Sequence, residues 1–509
     1  LPDGWLERFD AFASDFVTRH DIPGAAVAMV RDGETVYLRA FGYRDREAGL
    51  AVTPATRFGI ASLTKSFTVL ALLALQEKGV LDLSDPVRRY LPGFAYPGLD
   101  ALGEVLLWHM ASHTSGIPPL RALDFAIHPS QVGDPAEAFQ KRDYQDAPSV
   151  RTYDELLAYL RRGERAPLGA PGNYVSYSND AYGLLGAVIE RATGTPYADV
   201  MAEEVFTPLG MSSATFDTAA VYDAEAEGAR GDATRLYTRA PDQSVILSPR
   251  WEEAPAHLAT GFMKASVEDL AKALAFWTTT VQSERDAGGR AWLPAGIATD
   301  AWRSRAWAGP NVGYGLGWMI HHGVFDGVSG GTSTGPTLVR HGGSLKGVSS
   351  HQGFVPELGL GVAVLSNLDE APVKRLWHAA VNAAMGVPLE RPPYPDQAAS
   401  SEEALDPYAG VYGSGEPWGR LELRRVDPDD GAAPRLRAFT GEDAVDSGWL
   451  ARLPNDEFLL VGDAGAWDGG RFHRDDDGHV VAMQYGLRWY DRWEDAPDRK
   501  APDVAKVPT

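Results

Sequence analysis

The sequence predicts a two-part fold. The first part is an α/β (α+β) domain with an antiparallel sheet flanked by helices and a helical insertion, and the second is a small all-β barrel or sandwich. Three observations predict it: strand-like runs stand near both ends of residues 1–387, helical periods fill the stretch between, and short alternating runs with acidic turns occupy residues 408–497. Residues 388–407 are rich in proline, serine and acid and read as a linker.

Taken in order, Trp5, Phe9, Phe12, Phe16 and Val17 recur at helical spacing, so a helix is expected before Pro23. Residues 24–30 and 34–41 alternate around Asp32-Gly33, the signature of a β-hairpin with an Asp-Gly turn. The stretch from Phe58 to Gly79 is an apolar run of good helix formers with a glycine stop. A further helix is expected over 102–110, an irregular insertion over 121–148, and helices over 153–160, 181–190 and 266–278. Residues 313–320, 337–340, 347–354 and 359–366 read as successive strands, closed by a helix over 373–385.

Composition removes several classes. At 509 residues the chain exceeds one average domain, and its 44% hydrophobic and 23% charged content is that of a globular protein with a sizeable core. Forty-seven basic residues against 69 acidic ones give a net charge of −22, which repels phosphate backbones and anionic membranes. Nucleic acid is therefore not an expected partner; a small molecule or peptide is. No cysteine is present, so disulfides, thiolate nucleophiles and cysteine-based metal sites are excluded. No apolar run reaches the roughly 18 residues of a membrane span. The sequence starts at Leu1, not Met, which suggests an upstream segment such as a signal peptide, and a periplasmic or secreted location is expected over a cytoplasmic one.

Ser62 and Lys65 stand in S-x-x-K spacing at the head of the Phe58–Gly79 helix. Residues three apart share a helical face, so the lysine amine can reach the serine hydroxyl and take its proton when burial favours the neutral amine. Two later stretches carry complementary groups. Tyr177-Ser178-Asn179 lies at a loop-to-helix junction, and His341-Gly342-Gly343-Ser344 lies at a strand end where glycines allow close approach.

With these elements, and with Trp108-His-Met-Ala-Ser-His-Thr-Ser-Gly116, Tyr182-Gly-Leu-Leu-Gly186 and Phe206-Thr-Pro-Leu-Gly-Met211, the chain resembles the serine β-lactamase and penicillin-binding protein superfamily over about residues 5–386. The branch it resembles holds class C β-lactamases, D-aminopeptidases, D-amino-acid amidases and family VIII esterases (peptidase family S12). The resemblance implies a β-lactamase/transpeptidase-like fold and a serine hydrolase without metal or cofactor. By the same resemblance Ser62 is the acylated nucleophile, Lys65 and Tyr177 share the acid/base work, and Asn179 binds the substrate amide. The backbone N–H groups of Ser62 and Ser344 form the oxyanion hole beside His341, Gly342 and Gly343. His341 replaces the lysine of penicillin-recognising members, so esters, amides and amino-terminal peptides are expected substrates ahead of penicillins or D-Ala-D-Ala peptides. A β-lactamase or carboxypeptidase proper, and a non-catalytic ligand-binding protein, are the alternatives. The appended β module of such members can border the active site.

Other signals are set aside. Gly331-Thr-Ser-Thr-Gly335 matches G-x-S-x-G but leads into Pro336 and a strand instead of a helix. His109 with His113, and His321-His322, lack a third metal ligand in sequence, and Asp427–Asp430 and Asp475–Gly478 lack calcium-loop spacing. His113, Thr114 and Ser115 are expected to shape a loop. Trp108, Trp302, Trp307 and Trp318 are expected to pack in the core.

Overall fold

A computed structural model describes residues 2–139, 144, 147–283, 292–325, 335–394, 405–416, 419–427, 434–441, 444–463 and 465–493. The first helix, α1 (Trp5–Arg19), buries Trp5, Phe9, Phe16 and Val17 of the predicted stripe together with Ala13, and leaves Phe12 half-buried. Strands β1 (Gly24–Arg31) and β2 (Glu34–Asp45) form the expected hairpin. Asp32 and Gly33 both take positive φ, 50° and 87°, as a two-residue turn of matching twist requires. A short β3 (Leu50–Ala51) borders β2.

The two ends of the catalytic-sized domain meet at β1. Its other neighbour is β9 (Leu360–Ser366), in a register running from Ala25 opposite Ser366 to Arg31 opposite Leu360. Between them in sequence come β4 (Ala306–Gly309), β5 (Val312–Tyr314), β6 (Met319–His321), β7 (Leu338–Leu345) and β8 (Val348–Val355). The sheet order is β4-β5-β6-β7-β8-β9-β1-β2-β3, with all neighbours antiparallel.

β1 is buried on both faces, and its side chains divide by parity. Ala26, Ala28 and Val30 belong to the core shared with α2 (Thr64–Glu77) and α7 (Val267–Ser283), whereas Ala25, Val27 and Met29 pack with α1 and α8 (Val373–Met385). Small residues alternate here because two layers press on one strand. Helix α2 lies inside the domain, with Thr64 to Leu75 all buried, and that is why its sequence is apolar on every side.

The helical region comprises α3 (Leu107–Ala111), α4 (Ala122–Gln131), α5 (Tyr153–Leu160) and α6 (Asn179–Thr193). Three expectations need correction. The helix expected over 102–110 is confined to α3, because Gly103 takes a glycine-only φ of 148° and Leu106 makes a bridge to Pro86. The insertion expected to be irregular contains α4, with Pro129 in its last turn. The single strand expected over 313–320 is a hairpin, reversed at Gly315-Leu316-Gly317, where Gly315 N–H donates to Trp318 O at 2.9 Å and Gly317 has φ 69°. Part of the 121–148 insertion, half of the 388–407 linker, Gly331–Thr334 and part of Asp427–Asp430 lie outside the described residues.

Eight strands, β10 (Gly410–Gly413), β11 (Arg420–Val426), β12 (Arg435–Thr440), β13 (Val445–Arg452), β14 (Glu457–Gly462), β15 (Gly465–Arg474), β16 (Val480–Tyr485) and β17 (Arg488–Trp493), close into a barrel through β10 and β17. Closure leaves no unpaired edge, and Leu421, Leu423, Leu436, Leu450, Phe458, Phe472 and Met483 fill the interior. The barrel rests on the first domain through Lys374 with Asp468 at 2.7 Å and through Arg165, which bonds Ser414 O and Asp491, while Tyr394 between them packs on Ala451 and Leu459 of the barrel and donates its Oη to Pro310 O. Trp318 is wholly buried, as expected, whereas Trp307 lies under the Arg471 guanidinium at the barrel face.

Candidate active site

Ser62 sits in a 3₁₀ turn, Ala61–Leu63, that runs directly into α2. Four bonds hold the turn in place. Ile60 N–H donates to Met263 O at 3.0 Å, Ser350 Oγ donates to Ile60 O at 2.7 Å, Thr64 Oγ1 donates to Ala61 O at 2.7 Å, and Met263 N–H donates to Thr64 Oγ1 at 3.3 Å. Ala61 is held at φ 47°, a conformation costly for alanine and affordable only where the surroundings determine it. Ser62 itself is half-buried.

One turn on, Lys65 is completely buried. Its Nζ lies 3.1 Å from Ser62 Oγ, 3.0 Å from Asn179 Oδ1 and 2.6 Å from Thr260 O. Two of these neighbours can only accept, and they occupy two N–H bonds. The third direction faces a hydroxyl, which can accept or donate. A neutral amine placed here therefore points its lone pair at the serine proton. Burial, and after it the positive charge of Arg488, hold the lysine pKa well below its ordinary range, so this form is favoured.

Tyr177 and Asn179 flank Ser178, the N-cap of α6, whose Oγ accepts from Ala181 N–H at 3.1 Å. The ring centroid of Tyr177 is 4.7 Å from Lys65 Nζ. Burial pushes the phenol up to about 12, while a hydrogen bond with Ser62 and the charge of Arg488 pull the other way. His113, held at φ 58°, packs its ring 4.2 Å from that of Tyr177 and accepts the Ser178 N–H on Nδ1 at 3.1 Å. The loop-shaping role expected of His113 thus acts on Tyr177. Thr260 completes this side: its hydroxyl donates to Asn179 O at 2.8 Å.

The third stretch arrives on β7. Its pairing with β6 ends at Arg340, so residues 341–345 turn that edge toward the Ser62 turn. A Cβ on Gly343 would lie 2.7 Å from Ile60 O and 2.9 Å from Ser62 N, which is why glycine stands there. His341 is buried, with Nδ1 2.6 Å from Gly342 O and Nε2 3.1 Å from the Tyr314 hydroxyl. A carbonyl only accepts, so Nδ1 carries the proton and Nε2 receives the phenol. Burial first, then the Lys65 charge, push this histidine down to about 3, so it is neutral.

All three sequence stretches therefore converge on Ser62. Sequence reasoning missed Thr260, Tyr314, Gln352 and Arg488. Gln352 Nε2 donates to Ser66 Oγ at 2.8 Å, tying α2 to β8. None of the four lies in a local motif. The one group of three side chains among the described residues able to converge on a metal, Asp475, Asp477 and His479, is in a barrel turn, where Asp475 Oδ1 already accepts the N–H groups of Asp477 and His479.

A sequence profile of the family described as Beta-lactamase matches residues 9–385. The chain belongs to the beta-lactamase family. Esterase EstB of Burkholderia gladioli is 32% identical over 380 residues, which is 71% of this chain and 90% of that one. A D-aminopeptidase of Brucella canis is 26% identical over 397 residues, covering 77% of this chain and 65% of its own length. Among solved structures, the octameric penicillin-binding protein homologue of Pyrococcus abyssi aligns over 95% of this chain and 99% of its own, with 26% identity and a TM-score of 0.63. The protein is a serine hydrolase of beta-lactamase fold. No helix among the described residues is long and apolar enough to cross a membrane.

Proposed function

We propose that this beta-lactamase-family hydrolase works through an acyl-enzyme on Ser62 and acts on esters or amides, D-amino-acid amides and peptides among them. The observation that carries the reading is the environment of Lys65, whose two carbonyl-type acceptors leave its third direction for the Ser62 hydroxyl. Ser62 Oγ attacks the substrate carbonyl carbon and its proton passes to the Lys65–Tyr177 pair. The backbone N–H groups of Ser62 and Ser344 receive the developing oxyanion, and Asn179 orients the acyl side. The pair returns the proton to the leaving oxygen or nitrogen as the bond to carbon breaks. Water then attacks the acyl-serine carbonyl, releasing the acid and restoring the Ser62 hydroxyl.

Substrate class follows from charge. His341 is neutral with both ring nitrogens engaged, and the guanidinium of Arg488 is offset by Glu416 at 2.7 Å, so neither offers a free cation to a substrate carboxylate. The names of the esterase and D-aminopeptidase relatives support the same ordering over penicillin-type substrates. Turnover of a p-nitrophenyl ester, a D-amino-acid amide and a chromogenic cephalosporin, with intact-mass detection of an adduct on Ser62, tests both parts. Ester or amide turnover should exceed cephalosporin turnover, and Ser62→Ala should show no adduct. Cephalosporin hydrolysis far above the other two would overturn the substrate ordering, and an adduct in Ser62→Ala would overturn the mechanism.

A further inference from the structure

Tyr177 is held from the barrel side as well as from its own domain. Its backbone N–H donates to Leu487 O at 2.8 Å, Gln484 Nε2 donates to Val175 O, and the guanidinium carbon of Arg488 lies 4.4 Å from the Tyr177 ring centroid. Leu487 and Arg488 come from the turn joining β16 to β17, where Leu487 takes φ 64°. Arg488 Nε donates to Glu416 Oε2 at 2.7 Å, and the two side chains keep 18% and 5% of their exposure. A strained turn residue, a buried ion pair and a guanidinium over a catalytic-site ring stand together at one point of the barrel.

We propose that Arg488 is a positioning residue for the Lys65–Tyr177 pair, a fixed charge supplied by the barrel that decides at which pH that pair can accept a proton. The groups facing Tyr177 from every packed element are few. His113 and His341 are neutral, both held down by burial first. Tyr182 and Tyr314 are neutral phenols, pushed well above their ordinary value by burial. Beside Lys65 itself, the charged side chains that act on the ring among the described residues are Arg488 and Glu416. A cation favours the deprotonated forms of both Lys65 and Tyr177, and an anion opposes them. The pair titrates as a unit, so the effect is read as the apparent midpoint of one pH profile.

The proposal rests on the proton-transfer reading given above, and labelling of Ser62 by a fluorophosphonate in every variant checks that reading separately. The acid limb of kcat/KM for a p-nitrophenyl ester is measured by brief pH jumps from neutral buffer on the full chain. Glu416→Gln should move the limb to lower pH. Adding Arg488→Met to Glu416→Gln should move it back up by on the order of one pH unit, and Arg488→Lys should leave it in place while lowering kcat. If the double variant fails to fold, the sign of the Glu416→Gln shift decides alone. A limb that stays put in all variants, with uniformly lower rates, would make Arg488 a structural strut and overturn the proposal. Loss of Ser62 labelling in the parent protein would instead sink the mechanism beneath it.

Discussion

At the residue scale, Lys65 shows how reactivity is stored as an unfavourable burial. Its folded-state pKa is held well below the ordinary lysine value, so between that pKa and about 10.4 the unfolded chain carries a proton that the folded chain does not. Stability from this group falls as pH drops through that interval. Lys65→Met keeps the length of the side chain and removes the buried amine. It should cut acylation of an ester by roughly 10²–10⁴-fold, the usual contribution of a general base, while the melting midpoint stays level or rises. A variant that acylates within tenfold of the parent would remove Lys65 from the chemistry. A variant that unfolds would show that the amine stabilises the fold instead of straining it. Ser62 and Lys65 were legible from sequence because their relation is local, three residues on one helix. Thr260, which directs the lysine through its carbonyl oxygen, was not, since backbone acceptors leave no mark on residue identity.

At the element scale, the site depends on how closely β7 approaches the turn before α2. Gly343 has an ordinary backbone conformation, so its role is space: an added methyl would meet Ser350 Oγ at 2.4 Å, Ile60 O at 2.7 Å and Ser62 N at 2.9 Å. The first could rotate away, but the other two are backbone atoms. Gly343→Ala should therefore push β7 off the nucleophile turn and cost about 10²-fold in kcat/KM, the scale expected for misplacement by about an ångström. Its midpoint in urea should fall only modestly, because β7 stays paired with β8 along its length. Unchanged kinetics in this variant would mean that the gap is not needed. The glycines of this motif were readable as close-approach residues, and Asp32-Gly33 as a hairpin turn. Elements set by loop packing were not: α4 carries a buried Asp124 and a proline, which dilute its period, and the β5–β6 reversal hides among glycines that also suit a strand.

At the scale of the whole molecule, the first domain buries several histidines, one of which, His378, meets the barrel. His321 on β6, His351 on β8 and His378 on α8 are all held well below the ordinary histidine range, by burial first and then by the charges of Arg340 and Lys374. The His378 ring lies 5.0 Å from that of Trp467 in the barrel. In the folded state these rings are neutral, whereas the unfolded chain protonates them near pH 6.5. The contribution of each ring is thus full above about pH 6.5 and falls as pH drops toward its lowered folded-state value, by about 1.4 kcal/mol per pH unit in between. The buried pair of Asp134 and Lys346 works in the same direction but later. Lys346 holds the Asp134 carboxyl below its ordinary value, so that contribution is lost only below about pH 4. Between pH 6.5 and 4.5 the histidines therefore dominate. The urea midpoint should drop steeply from pH 7.5 to pH 5, and a flat midpoint would refute this account. His378→Phe keeps a ring against Trp377 and Trp467 and removes one buried imidazole. Its slope of stability against pH should be shallower by one proton's worth, and if the loosening starts at this contact, activity lost at pH 5 should return in step with the regained stability.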